Sequence, residues 1–363
     1  MNRDRLILIA KLFGIVACLY FFIVGIHGMS EAFKLFGKDF AAKMLETTSS
    51  PFVGLFIGIL ATALVQSSST TTSVIVGLVG TGAISIEGAI PMVMGANIGT
   101  TVTNLFVSLG HITKGQEFRR AFAAATVHDV FNWMTVLILF PLELATGVLA
   151  KTATVMAGWF QNAGGLKLGT PLKDSTKVVI EFYSNLCNDQ PIAVLIISIL
   201  IIISMLVLIV KLLRSLVLEK VEHLFSQHLF CNAGRAMFFG FALTVAVQSS
   251  SITTCLIVPL AGAGIVRLIQ VLPYTLGANV GTTSTAMLAA MTFDVHAITV
   301  AFAHLLFNLL GIALIWPIKR IRMIPINIAE WLADLSIKNR FIPFALIAFI
   351  FFGLPIMFIY FFR

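Results

Sequence analysis

Gln66-Ser67-Ser68-Ser69 recurs as Gln248-Ser249-Ser250-Ser251, and Gly95-Ala96-Asn97-Ile98-Gly99-Thr100-Thr101 recurs as Gly277-Ala278-Asn279-Val280-Gly281-Thr282-Thr283. Both pairs are offset by 182 residues, and 18 of the 36 positions from Gln66 to Thr101 are identical in the second copy. A serine offers one donor and two acceptor sites, and a glutamine offers both kinds. Three consecutive serines cannot face one way on a helix. At a tip between two half-helices they can converge, together with the free N–H groups of the helix that follows. Such an N-terminus carries about half a positive charge and binds anions. The glycines suggest a second chemistry. Gly95 to Gly99 is expected to break a helix that begins near Glu87, so that carbonyls turn toward a cation. Thr100, Thr101, Thr282, Thr283, Ser284 and Thr285 add hydroxyl oxygens, and oxygen-only ligation suits a hard ion such as sodium. The competing reading is that Gly, Ser and Thr merely allow tight helix–helix contact. Two copies of both motifs at one constant offset favour a site.

These polar residues lie in very apolar surroundings. The chain is 58% hydrophobic and 11% charged, with mean hydropathy +1.00. Soluble domains carry about 25% charge. An unpaired polar group in hydrocarbon costs about 2–7 kcal/mol, so the repeat needs a reason to persist. The composition specifies an all-α polytopic membrane protein. Spans of the required length, about 20 residues, run from Leu6 to Met29, from Ile192 to Val210 and from Phe341 to Phe362. The first is too long for a signal peptide and is expected to be retained. The net charge of +8 is read through the positive-inside rule; no motif supports nucleic-acid binding. Cys18, Cys187, Cys231 and Cys255 have no metal or CxxC spacing.

Basic clusters orient the chain. Arg3 and Arg5, then Lys114, Arg119 and Arg120, then Lys211, Arg214 and Lys220, then Lys319, Arg320, Arg322, Lys338 and Arg340 mark the cytoplasmic side. Crossings at about 85–110, 120–149 and 192–213 then separate the QSSS copies. An odd number of crossings makes the second repeat inverted relative to the first. The stretches Pro51 to Val65 and Thr70 to Val79 are each too short to span about 30 Å, and Ala236 to Val247 and Thr253 to Ala263 match them. Each repeat is therefore expected to hold a re-entrant helical hairpin and a broken transmembrane helix. The expected organisation is a first helix and external segment over 1–50, repeat 1 over 51–150 and an external loop over 151–191. A linking helix and cytoplasmic segment follow over 192–233, then repeat 2 over 234–320 and an interfacial helix plus last span over 321–363.

Charge decides between ligand classes. From Pro51 to Gly110 the only charged residue is Glu87, and from Ala236 to Met291 the only one is Arg267. Asp129 is the sole carboxylate deep in a span, so a proton relay has little to work with. A fixed Lys/Arg cage for an anion is also missing. A co-bound cation supplies the missing compensation and couples the two affinities. His128 and His304 are read as buried neutral side chains pairing locally with Asn132 and Asn308, against a pH-sensing or substrate-binding alternative. Arg119 and Arg120 are read as helix anchors, against a gating role.

The segments LVQSSSTTT, AVQSSSITT, MGANIGTTVTN, LGANVGTT and EFRRAFAAATVHDVFNW closely resemble the type II sodium/phosphate cotransporter family. The resemblance covers about residues 50–150 and 235–320. It implies two inverted repeats with phosphate between the QSSS tips. It assigns phosphate to Ser67, Ser68, Ser69, Ser249, Ser250, Ser251, Asn97 and Asn279. It assigns sodium to Gln66, Gln248, Thr100, Thr101, Thr282, Thr283 and Thr285. It implies no cofactor and no metal beyond sodium as coupling ion. Partners are the lipid bilayer, the two ions and, as an open alternative, a second copy of the chain. The short 151–190 segment in place of the long loop of animal members points to a compact prokaryotic form in a bacterial inner membrane. Two other readings stand beside sodium-coupled uptake. One is a sodium-linked phosphate exporter. The other is an intramembrane serine hydrolase using His128 or His304, which the doubled serines disfavour because catalysis needs one nucleophile.

Overall fold

The computed structural model describes residues 3–36, 50–162, 169–202 and 232–362, with isolated positions 204–205, 208, 212 and 230 between them. The described residues fold into helices: α1 Arg3–Phe36, α2 Pro51–Val65, α3 Ser68–Gly80, α4 Ile86–Gly99, α5 Val102–Leu109, α6 Gly115–Thr146, α7 Val148–Asn162, α8 Gly169–Leu186, α9 Pro191–Ile202, α10 Ala233–Val247, α11 Ser250–Gly262, α12 Leu268–Ala290, α13 Val295–Ile315, α14 Lys319–Lys338 and α15 Ile342–Phe362. Among the described residues five stretches are long and apolar enough to cross a membrane: Ala10–Met29, Ile86–Leu109, Gly115–Thr146, Val295–Ile315 and Ile342–Phe362. Large apolar side chains such as Leu137, Phe238, Phe341 and Phe361 face outward, as a bilayer allows. The expected crossing at 192–213 is described only as far as α9; its remainder, like Cys231, lies largely or wholly outside the described residues.

The two short hairpins form as the chain's punctuation demands. Pro51 sits in the first turn of α2, where its missing N–H costs nothing. Gln66 then turns into the left-handed region (φ 59°, ψ 24°), and Gln248 does the same (φ 53°, ψ 31°). Next, Ser67 and Ser249 are extended and cap α3 and α11, accepting from the N–H of Thr70 and Ile252. The arms have equal lengths in the two copies, 15 and then 13 residues. The polar first turns remain helical in apolar surroundings because hydroxyls bond back to carbonyls one turn earlier. Thr72 donates to Ser68 and Ser73 to Ser69, while Thr253 donates to Ser249 and Thr254 to Ser250.

The expected break at the glycine motif is corrected. In the first copy there is only a two-residue interruption at Thr100 and Thr101, whose dihedrals stay helical. In the second copy α12 runs unbroken for 23 residues through Gly277 and Gly281. The glycines are packing notches instead. A methyl on Gly95 would collide with the Leu55 carbonyl of α2, and one on Gly277 with the Met237 carbonyl of α10. Tight contact, the alternative reading of these residues, explains them.

Each hairpin lies against the opposite half. Its first arm packs on its own following helix, α2 on α4 and α10 on α12. Its second arm crosses over, so that α3 packs on α12 and α13, and α11 packs on α5 and α6. The second arms also touch each other. The 151–191 stretch is not a simple loop, because it carries α7 and α8, and α7 packs on α13. Mixed composition concealed these helices. The stretch expected as an interfacial helix is the amphipathic α14, which is tied to α6 by a bidentate pair from Arg119 to Asp334, at 2.5 and 3.0 Å. Hydrogen bonding to Arg119 holds the Asp334 carboxyl below the usual carboxylate range. Arg120 Nε donates to the Gly262 carbonyl at 2.8 Å, so it anchors the base of the second hairpin. Cys18, Cys187 and Cys255 are all free thiols.

Candidate functional site

The two hairpin tips present unspent hydrogen-bonding groups. Ser68, Ser69, Ser250 and Ser251 are 3%, 5%, 2% and 8% exposed. Among the described residues, none of their four hydroxyls has a protein partner, whereas neighbouring Thr70, Thr71, Thr72 and Ser73 are all bonded. None of the four oxygens is fully enclosed, so at two helix N-termini they stay open to a ligand that accepts hydrogen bonds. Ser67 and Ser249 accept at their oxygens as caps, which leaves their hydroxyl protons to donate.

A glutamine and a threonine stand beside each tip. Gln248 accepts from the Thr285 hydroxyl at 2.8 Å, and Gln66 accepts from the Thr103 hydroxyl at 2.9 Å. The glutamine Nε2 atoms donate to the Ala63 and Val245 carbonyls. Their Oε1 atoms keep a free lone pair for a cation. Thr103 was not among the expected ligands, although adding the offset of 182 to it reaches Thr285. Thr100 and Thr282 donate to the carbonyls of Ala96 and Ala278, and Thr283 to Val280. Thr101 reaches the Ile98 carbonyl and Asp129 Oδ1, the latter at 2.7 Å. Asp129 is 5% exposed and has no acidic counterpart in the second copy. Thr62 and Thr244, also 182 apart, carry buried hydroxyls without partners beside Gly99 and Gly281.

The histidine expectation is corrected. Neither histidine pairs with the asparagine on its own helix. His128 Nε2 donates to Asn279 Oδ1 at 2.8 Å, and His304 Nε2 meets Asn97 Oδ1 at 3.4 Å. Asn279 Nδ2 donates to Asn132 Oδ1, and Asn132 Nδ2 donates to the Asn97 carbonyl, both at 2.8 Å. Asn308 completes the pattern on the Asn279 carbonyl at 3.2 Å. All six side chains are buried. Asn97 and Asn279, expected at the anion, thus have both amide ends engaged by protein, since Asn97 Nδ2 also donates to the Val93 carbonyl. The local-turn reading failed because each partner lies in the other half, 151 or 207 residues away.

Comparison with known proteins brings a family into view. The family model described as Na+/Pi-cotransporter matches residues 21–158 and 200–358. "Sodium-dependent phosphate transport protein 2B" of Homo sapiens is 32% identical over 94% of this chain and 64% of its own length. "Sodium-dependent phosphate transport protein 2A" of Rattus norvegicus is 33% identical over 89% of this chain and 63% of its own length. The chain therefore spans less than two thirds of these curated relatives. No solved structure gives a significant match.

Proposed function

The chain belongs to the Na+/Pi-cotransporter family, and from that premise we propose that it is a sodium-coupled symporter of inorganic phosphate. It works by alternating access in the plasma membrane, with sodium as the coupling ion. The observation that carries this reading is the set of four unpartnered hydroxyls, Ser68, Ser69, Ser250 and Ser251, at two capped helix N-termini. Phosphate accepts hydrogen bonds from them, from the Ser67 and Ser249 hydroxyls and from the free N–H groups of the two first turns. Asn97 and Asn279 act one layer behind, holding the helices that carry the threonines.

Charge arithmetic explains the coupling. Two helix N-termini supply about one positive charge between them. Hydrogenphosphate carries two negative charges, so about one remains uncompensated. No lysine or arginine lies in either QSSS or glycine motif. Sodium at the oxygens of Gln66, Gln248, Thr100, Thr101, Thr103, Thr282, Thr283 and Thr285 closes the deficit, and each ion then raises the affinity for the other. The packing of each second hairpin arm on the other half fits two inverted repeats over 51–150 and 234–320.

Phosphate uptake into proteoliposomes tests the reading. Uptake must require an inward sodium gradient; uptake unchanged when choline replaces sodium rejects it. Net phosphate efflux down an imposed phosphate gradient, with no uptake under either sodium polarity, would favour the exporter. A hydrolase has little support: His128 and His304 meet asparagines rather than serines, so neither histidine stands as a base beside a serine.

A further inference from the structure

A second anion site lies away from the hairpin tips. A cavity of about 230 Å³ opens at the base of α10 and α12, walled by Asn232, Arg267, Gln270, Pro273, Trp316 and Arg322. Among the described residues that line it, none is acidic. Arg322 stacks its guanidinium over Trp316, 5.1 Å from the ring centroid, and its buried Nε has no acceptor. A buried N–H without an acceptor is costly, so it is expected to have a use. Two acceptor atoms at the rim each already hold one donor. Gln270 Oε1 accepts from the Arg267 N–H, and Asn232 Oδ1 from the Arg235 N–H. The charged side chains that line the cavity are two arginines, beside the N-terminus of the 23-residue α12. A neighbouring cavity of about 410 Å³ shares Arg267 and adds Arg119, Arg120 and Glu330. There Asp334 neutralises Arg119, so Arg120 and Arg267 face one carboxylate.

We propose that Arg267 and Arg322 form a seat for a phosphoryl oxyanion at the cytoplasmic membrane interface. The positive-inside rule asks only for a number of basic residues. It does not ask two forks from separate helices to converge on one cavity with an unused N–H. Guanidinium forks match the tetrahedral oxygens of a phosphoryl group, and a tryptophan at headgroup depth suits the same boundary. The phosphoryl group comes either from an anionic lipid headgroup, its ester portion reaching into the larger cavity, or from free phosphate on the cytoplasmic side. This site does not depend on the transport reading.

The test uses the full chain purified in neutral detergent, without sodium, in a Ser68→Ala/Ser69→Ala/Ser250→Ala/Ser251→Ala background that removes the four free hairpin-tip hydroxyls. One arm counts phosphatidylglycerol against phosphatidylcholine retained in native mass spectrometry. The other measures equilibrium binding of radiolabelled inorganic phosphate. One probe is expected to bind, and Arg267→Gln/Arg322→Gln should weaken it at least tenfold, whereas Arg235→Gln, on the same face but outside the cavity, should not. Lipid binding alone assigns the headgroup; phosphate binding assigns the free ion. Should the double variant aggregate, Arg322→Lys keeps the charge without the fork, and binding must still fall severalfold. Neither probe bound, or binding indifferent to Arg267 and Arg322, overturns the proposal.

Discussion

His128 Nε2 donates to Asn279 Oδ1 across 2.8 Å, linking two residues that stand 151 positions apart and in different halves of the chain. The mirror contact, His304 to Asn97, is longer at 3.4 Å. A buried polar contact between elements without covalent linkage couples their stabilities. A double-mutant cycle of His128→Ala with Asn279→Ala should therefore return an interaction of about 0.5–3 kcal/mol. The cycle of His128→Ala with Asn97→Ala should return less, because those two side chains share no bond. Thermal unfolding of the ligand-free protein measures both, and equal values would deny the pairing.

The free tip hydroxyls make a sharper claim about ligand. Ser68→Ala and Ser250→Ala each remove a charge-assisted hydrogen bond, worth about 1.5–3 kcal/mol. Phosphate affinity should fall roughly tenfold or more in each, with folding unaffected. Thr72→Val should leave affinity nearly unchanged, since that hydroxyl already serves the Ser68 carbonyl. Full transport in one serine variant and none in the other would break the shared-pocket view.

Thr103 and Thr285 hold equivalent places beside Gln66 and Gln248. Thr103→Val and Thr285→Val should each raise the sodium concentration needed for half-maximal uptake, by severalfold, at saturating phosphate. A change confined to phosphate affinity would move these residues out of the sodium shell.

Glycine notches can be checked without any ligand. Gly95→Ala and Gly277→Ala drive a methyl into a backbone carbonyl and should destabilise by about 1–3 kcal/mol. Gly158 lies in α7 with open space where its methyl would go, so Gly158→Ala should stabilise by about 0.5–1 kcal/mol. Melting temperatures of the three variants moving together would contradict the packing account.

Asp334 gives a pH signature. Its folded-state pKa is depressed by Arg119, so its contribution is present above the unfolded value of about 3.9 and disappears as pH falls through the lower folded value. The melting-temperature deficit of Asp334→Asn should be constant from about pH 5 upward and close below about pH 4. A deficit that grows on acidification would show that the ion pair is not its source.

The hairpins were legible in the sequence because three signals coincided: arms too short to span, a serine at each cap position and an exact spacing between copies. The glycine motif was misread because glycine serves two purposes that composition cannot separate. It permits unwinding, and it permits another backbone to approach; only the Leu55 and Met237 carbonyls at Gly95 and Gly277 decide between them. The partners of His128 and His304 were hidden for a different reason. Sequence reasoning sees neighbours on one helix, and these contacts depend on how two distant helices cross. Thr103 was recoverable from the offset alone, but Val102 beside it obscured the match to Ser284 and Thr285.

The crossing of the second hairpin arms has a consequence for how either half would stand alone. Residues 51–150 alone would keep α2 and α4 beside α3 but leave it without α12 and α13, and residues 234–320 alone would leave α11 without α5 and α6. Two copies of either segment could cover each other. The polypeptide has the logic of two copies of one segment that bury each other within a single chain, and Asp129 on one side only records how far the two copies differ.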